Sequence, residues 1–206
     1  MKNIVFIFSD QQRWDTLGIN GCPLCLTENI DNLAREGINF GCAFTNQPVC
    51  GPARSCLFTG KYATETGVWK NGFGIRENEI TIAKLLKENG YKTGYVGKWH
   101  LSPNQEGPGA VPQKYRGGFD DFWRAANIPE FTSHPYEGSI YDEKKKEIKF
   151  KNIYRVDFYT EKAIEFLRTT DEPFFLTVSY LEPHQQNDWG NMVSPDGYRE
   201  KYKNPF

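Results

Sequence analysis

Short apolar runs that alternate with helical stripes constrain this chain more than any other feature. Ile4–Phe8 is an uninterrupted apolar run ending just before Asp10, and residues 91–96 and 174–180 read as further buried strands. Between them, residues 29–36 read as a helix closed by Gly37, and residues 38–45 as the next strand. Ile80, Ala83, Leu85 and Leu86 form an apolar stripe at helical spacing, stopped by Gly90 in the C-cap position. A second amphipathic helix covers residues 156–169, with Phe158, Ala163, Phe166 and Leu167 as its inner face. This alternation predicts an α/β fold, a mostly parallel sheet sandwiched by helices, with two βαβ units. Residues 102–152 break the pattern with Pro103, Gly107, Pro108, Gly109, Pro112, Gly117 and Gly118. They read as a loop-rich excursion over the sheet edge, with a hairpin over 139–150 that turns at 143–146.

Charge and cysteine usage narrow the class of protein. The 206 residues can bury a sizeable core, and 25 basic against 26 acidic side chains leave a formal net charge of -1. Such a balance gives no general attraction for polyanions, so nucleic acid is not an expected partner. No apolar run approaches the roughly 20 residues of a spanning helix, so no membrane is expected either. Ile4–Phe8 is too short for the core of a signal peptide, and the chain reads as cytoplasmic, or as periplasmic or secreted if a leader was removed. The five cysteines are odd in number and crowded into the first third, which suits free thiols better than a disulfide framework. Cys22 and Cys25 have C-x-x-C spacing, but nothing nearby completes a tetrahedral set, and they read as a chance loop pair.

Chemistry concentrates where the strands end. Cys50-Gly51-Pro52-Ala53-Arg54 places a thiol and a guanidinium four residues apart across a proline. With Pro52 at the first helical position, Cys50 lies just before the helix and Arg54 one turn inside. Both then meet over exposed N–H groups that suit a sulfate or phosphate, although a structural cysteine beside a solvent-facing arginine fits the same spacing. Ligands of open parallel sheets bind at the carboxyl ends of the strands. Asp10 and Gln11 follow the first strand, Cys50 the run ending at 45, Lys98 and His100 the run ending at 96, and His184 the run ending at 180. Four strand ends therefore converge. Asp10 and Gln11 supply a carboxylate beside an amide carbonyl, a pair suited to a hard cation as well as to a turn. Lys98 and His100 point to one side of an extended segment, with Trp99 on the other. Asp15 and His134 read as surface residues.

These segments, taken together and in order, resemble the sulfatase family. The likeness rests on Asn3 to Gln12, Cys50 to Arg54, Gly97-Lys98-Trp99-His100-Leu101 and Glu182-Pro183-His184, and it runs from residue 3 to about residue 184. It implies an alkaline-phosphatase-like fold, of which residues 1–206 form the N-terminal part of the catalytic domain. It also implies that a separate maturation enzyme oxidises Cys50 to formylglycine, whose hydrate attacks the sulfur of a sulfate ester. In that scheme Arg54 and a metal activate the hydroxyl, Lys98 holds the diol and a sulfate oxygen, His184 protonates the leaving alcohol, and His100 opens the resulting hemiacetal. The implied metal is Ca2+, with Mg2+ as the alternative, held by Asp10, Gln11 and the group at Cys50. The family more often carries two adjacent aspartates here, so Gln11 is a departure, and its remaining ligands and a further lysine lie well beyond His184. A sulfated carbohydrate or other small molecule is the implied substrate, with aryl sulfates as artificial ones. Phe119, Phe122, Trp123, Phe131 and Tyr136 are available either to stack on it or to pack the core. A phosphate or phosphonate ester hydrolase of the same superfamily, or a non-catalytic protein keeping the fold, are the alternatives.

Overall fold

The computed structural model describes residues 1–24 and 26–202. Its strands are β1 (Ile4–Phe8), β2 (Lys92–Lys98), β3 (Phe122–Ala126), β4 (Ser133–His134), β5 (Glu137–Tyr141), β6 (Glu147–Lys151) and β7 (Phe174–Ser179). The helices are α1 (Glu28–Glu36), α2 (Cys50–Thr59), α3 (Ala63–Thr66), α4 (Ile82–Glu88), α5 (Arg155–Thr169) and α6 (Tyr198–Lys201). The sheet order is β1-β7-β2-β3-β5-β4, with β6 paired to β5. The first four of these run parallel, and β5, β4 and β6 extend them antiparallel. The α/β architecture is therefore present, with β7 inserted between β1 and β2, an order that no local pattern announces.

Alternation along the strands splits the core between the two faces. Tyr95, Trp99, Trp123 and Phe175 pack on one face with Phe58 of α2 and Ala83 of α4. Val96, Phe122, Leu176 and Val178 pack on the other with Phe158, Tyr159, Ala163 and Phe166 of α5. Rings dominate the first cluster: Tyr95 stands perpendicular to Trp99 at 5.0 Å and stacks on Trp123 at 5.2 Å. Edge-to-face pairs of this kind contribute about 0.5–1.5 kcal/mol beyond their buried area. Among the described residues no helix is long and apolar enough to cross a membrane.

Several expectations need correction. Residues 102–152 hold a strand that the sequence reading did not expect, β3, which continues the parallel sheet, beside the expected hairpin as β5 and β6. Arg124 in mid-strand hides β3 from an apolar-run search, because its guanidinium lies over the Phe122 ring while pairing with Glu143 and Glu165. Residues 38–45 form no strand, and Ile38, Phe40 and Phe44 are exposed. Their alternation has no neighbouring strand to pair with. Leu167 lies outside the α5 core, and Tyr159 takes the buried place. Ile80 and Leu85 are exposed as well, leaving Ala83 as the buried member of the α4 stripe, and Gly90 sits one residue past the cap, Asn89. Phe119, Phe122 and Trp123 are core residues, so of the aromatics proposed for stacking Phe131 is the exposed one and Tyr136 is half-buried.

Candidate active site

Helix α2 begins at Cys50, with Val49 as its N-cap, so Cys50 is the first helical residue and Pro52 the third. The sequence places Pro52 two positions too early, yet proline is tolerated anywhere in this turn because its N–H groups lack helical partners. Asn71 accepts the Gly51 N–H at 2.9 Å and pins the start of the helix. Cys50 therefore stands at a helix end rather than a strand end. Three strand ends, those of β1, β2 and β7, supply Asp10, Lys98 and His184 around it.

Two cavities meet at Cys50. One, of about 690 Å³, is lined by Phe8, Asp10, Gln11, Arg54 and His184, and the other, of about 270 Å³, by Asn71, His100, Glu130, Phe131 and His184; Cys50 lines both. Ligand atoms of Asp10, Cys50 and His184 lie within 4.8 Å of one another, and the thiol donates to Asp10 Oδ1 at 3.7 Å. The residues that the sequence scatters over more than 170 positions are thus brought to one place.

The cations are not free groups waiting for an anion. Arg54 is buried beneath the site, giving Nη1 to the Lys98 carbonyl at 2.6 Å and to Ser179 Oγ at 2.8 Å, and Nη2 to Asp10 Oδ2 at 3.0 Å. Its plane also lies over Phe8, 4.9 Å from the ring centre. The guanidinium therefore acts by holding Asp10 and the end of β2, more than by reaching into the cavity. Lys98 is fully buried and reaches Asp10 at 2.9 Å and Glu130 at 2.8 Å. Gly97, before it, adopts φ +102, and a Cβ there would collide with the Ser179 carbonyl, so only glycine allows β2 and β7 to close at this point.

Burial and charge set the protonation states. Burial raises Asp10, but Lys98 and Arg54, helped by His184, outweigh it and hold its carboxyl well below the usual carboxylate range. Burial also pushes the Cys50 thiol up, an effect the nearby Lys98 does not cancel. An unmodified Cys50 is accordingly a thiol and a weak nucleophile. His100 is driven down to about 3 by burial and by the charge of Lys98, so its imidazole is neutral at ordinary pH. Its backbone takes φ +57, leaving the extended path expected of residues 98–100, and its Nδ1 is buried without a hydrogen bond among the described residues. Trp99 meanwhile enters the aromatic core. His184 is half-buried at the junction of the two cavities, and its Nδ1 faces the Gln185 carbonyl at 2.6 Å, which can only accept. Nδ1 carries the hydrogen, and Nε2 remains for other work.

The donors suit a hard cation on one flank. Among the described residues Asp10 Oδ1 receives only the weak thiol bond, and Gln11 Oε1 only a long 3.4 Å bond from the Gln185 N–H, so both oxygens can turn to an ion. An oxygen in place of the Cys50 sulfur would make a third donor, where calcium takes about six to eight. Asp15 pairs with Arg13 at the surface, and His134 bonds Asp188 at 2.7 Å and stacks on Trp189, clear of the site. Cys22, Cys42, Cys50 and Cys56 are free thiols, while Cys25 lies outside the described residues. Sequence reasoning missed Glu130, Ser179, Asn71 and Tyr95. Ser179 ends a strand that was read correctly, so its position was available, whereas Glu130 follows the unrecognised β3 and had no strand end to mark it.

Comparison with known proteins agrees with this geometry. The profile of the Sulfatase family matches residues 2–206. An ulvan-active sulfatase from Formosa agariphila is 35% identical over 204 residues, covering 97% of this chain and 38% of its own length. The structure of yidJ from Bacteroides fragilis superposes with a TM-score of 0.85 at 31% identity, covering 98% of this chain and 48% of that one. The structure of BT4656 in complex with its substrate D-glucosamine-2-N,6-O-disulfate gives a TM-score of 0.76 at 31% identity, covering 89% of this chain and 35% of that one. The chain thus spans less than half the length of each of these three relatives. A match from end to end, over a cavity where the same motif residues meet, means that the chain belongs to the sulfatase family.

Proposed function

We propose that the protein hydrolyses sulfate esters of a carbohydrate at the cavity around Cys50. The observation that carries this reading is the convergence of Asp10, Cys50, His100 and His184 on the two adjoining cavities, with Lys98 buried behind them against Asp10. The substrates named for the relatives, ulvan and a sulfated glucosamine, support the carbohydrate class. Phe131, exposed at the rim beside Glu130, offers a ring face to a sugar.

The raised thiol pKa argues against Cys50 acting as it stands. Conversion to formylglycine by a maturation enzyme supplies, once hydrated, a hydroxyl nucleophile and a second hydroxyl for sulfate release. Asp10, Gln11 and the oxygen at position 50 would hold the divalent cation, Ca2+ or Mg2+, which supplies Lewis-acid charge opposite the sulfate. The chain's own side chains do the rest. Lys98, buried between Asp10 and Glu130, keeps a fixed positive charge close to position 50, at no reorganisation cost during reaction. Arg54 keeps Asp10 ionised and aimed. His184, its Nδ1–H held by the Gln185 carbonyl, delivers a proton from Nε2 to the leaving oxygen as the imidazolium and is left as the neutral Nδ1–H imidazole. His100, neutral in its buried setting, takes the proton from position 50 when sulfate departs.

The test uses the full-length protein produced with a competent maturation enzyme. Peptide mass analysis is expected to find an aldehyde at position 50 and thiols at the other four cysteines. Cys50→Ala should cut hydrolysis of an aryl sulfate by on the order of 10⁴-fold or more. Undiminished turnover by that variant, or faster hydrolysis of the matched aryl phosphate by the native protein, overturns the reading.

A further inference from the structure

Lys98 sits between two carboxylates of different standing. Asp10 Oδ2 is shared, since it accepts from both Arg54 and Lys98, and Asp10 is also the carboxylate best placed for a cation. Glu130 Oε1 accepts from Lys98 at 2.8 Å, and Lys98 is its one ion-pair partner among the described residues. An ammonium on a four-carbon stem has no preferred direction of its own. Whatever carboxylate is left to it decides where it points.

Glu130 is built to be that carboxylate. It lies in the short 3-10 turn Pro129–Phe131 that follows β3, and β3 is registered against β2 with Ala126 opposite Lys98. The turn is tied down from outside, because Gln186 Nε2 donates to the Glu130 carbonyl at 3.0 Å and to the Ser133 carbonyl at 3.2 Å. The side chain is only 3% exposed, yet it lines the same cavity as Cys50, His100 and His184. Its second oxygen, Oε2, is buried with no hydrogen-bond partner among the described residues. Burial raises the Glu130 carboxyl, but the charge and hydrogen bond of Lys98 outweigh this and keep it ionised.

A fixed negative charge beside an anion-binding cavity opposes the binding of sulfate. We propose that Glu130 is a positioning residue, which aims Lys98 at the reacting group through Oε1 while its charge limits how tightly free sulfate is retained. The proposal rests on the sulfate-ester reading of the cavity. Its signature is opposite movement of two quantities: loss of the charge slows the chemical step and tightens the hold on the inorganic product. A residue that merely stabilises the fold would weaken both.

The experiment compares Glu130→Gln, Glu130→Ala and Glu130→Asp in the full-length, matured protein. Glutamine keeps the shape and an acceptor for Lys98 without the charge, so it separates aiming from electrostatics. Turnover of an aryl sulfate should fall about tenfold in Glu130→Gln and about a hundredfold in Glu130→Ala, with Glu130→Asp recovering part of the loss. Inorganic sulfate, titrated by calorimetry and as a product inhibitor, should bind Glu130→Gln about three- to tenfold more tightly than the native protein. Turnover within twofold of native in both Gln and Ala variants, or equal or weaker sulfate binding by Glu130→Gln, overturns the assignment. Calorimetry does not depend on turnover, so a native protein that hydrolyses no sulfate ester refutes the proposed function while leaving Glu130 still decided by the sulfate titration.

Discussion

The two flanks of the sheet are built from similar residues and end in different states. On the β2–β7 flank every residue of β7 is buried and so are six of the seven in β2, against α2, α4 and α5. On the β1 flank Val5 is 47% and Ile7 60% exposed, and the segments that follow it in the chain leave Leu33, Ile38, Phe40 and Phe44 between 71% and 90% exposed. Ile-Val-Phe-Ile-Phe is as apolar as any strand covered on both faces. An apolar run decides that a strand forms, but burial needs a second layer, and among the described residues β1 pairs only with β7 and lacks that layer. The catalytic candidates straddle the border: Lys98 and His100 stand on the finished side, and Asp10 and Gln11 leave from the open one.

The largest expected effects fall at that border and test whether both sides serve one reaction. In the full-length protein, His184→Ala and His100→Ala should each slow turnover by about a hundred- to ten-thousandfold. The His184 loss should grow as the leaving group becomes poorer, whereas the His100 loss should be indifferent to it. Leaving-group series for both variants provide the check. Equal slopes for the two would assign the same role to both histidines and break the division made here.

The packing contrast is tested by paired truncations followed by chemical denaturation. Trp99→Ala empties the centre of the aromatic cluster and should cost about 3–5 kcal/mol. Phe44→Ala, at 90% exposure, should stay within about 0.5 kcal/mol in this 206-residue chain. Comparable losses would mean that the open flank is covered in solution.

The same contrast explains what the sequence disclosed. The strands at 4–8, 92–98 and 174–179 and the helix at 155–169 were legible because their patterns are local and each is satisfied by a neighbour. The stretch 38–45 carried an equally clear alternation and formed no strand, since pairing is not a local property. The strand at 122–126 was invisible for the opposite reason: a charged Arg124 sits at the surface of an otherwise buried segment. At the site, residue types at motif spacings located Asp10, Cys50, Lys98, His100 and His184. Those spacings could not show that Arg54 is spent on Asp10, Ser179 and a carbonyl, nor that Glu130 shares Lys98, because both depend on side chains brought together across the sheet.

Acid should reveal the buried groups around the site in a fixed order. His100 has a folded pKa near 3 against a reference of 6.5, so the unfolded chain binds the proton more readily between those values. Stability is therefore greatest above about pH 6.5 and declines as pH falls toward 3, by about 3 kcal/mol at pH 4.5 from this residue alone. Asp10 and Glu130, both lowered, add their losses only below their reference values of 3.8 and 4.5. Denaturation midpoints of native protein and His100→Gln across pH 4.5 to 7 should show the slope in the native protein and a flatter line in the variant. Parallel slopes would remove His100 from the account.

The smallest effect belongs to the open flank, and it concerns association more than stability. β1 presents an edge unpaired among the described residues with Ile7 exposed, Phe40 and Phe44 are exposed as well, and edges of this kind pair with other chains. The 206-residue chain should self-associate at micromolar concentration, and Ile7→Lys with Phe44→Ser should reduce this while moving the denaturation midpoint little. Relatives extend well beyond the matched region, this chain covering 38% of the ulvan-active sulfatase, so the full-length protein should bury the same side chains and gain nothing from the substitutions. Sedimentation velocity on the four samples distinguishes the cases. A short chain that stays monomeric without the substitutions would show that β1 tolerates water on its outer edge, and that the two flanks differ in composition of neighbours alone.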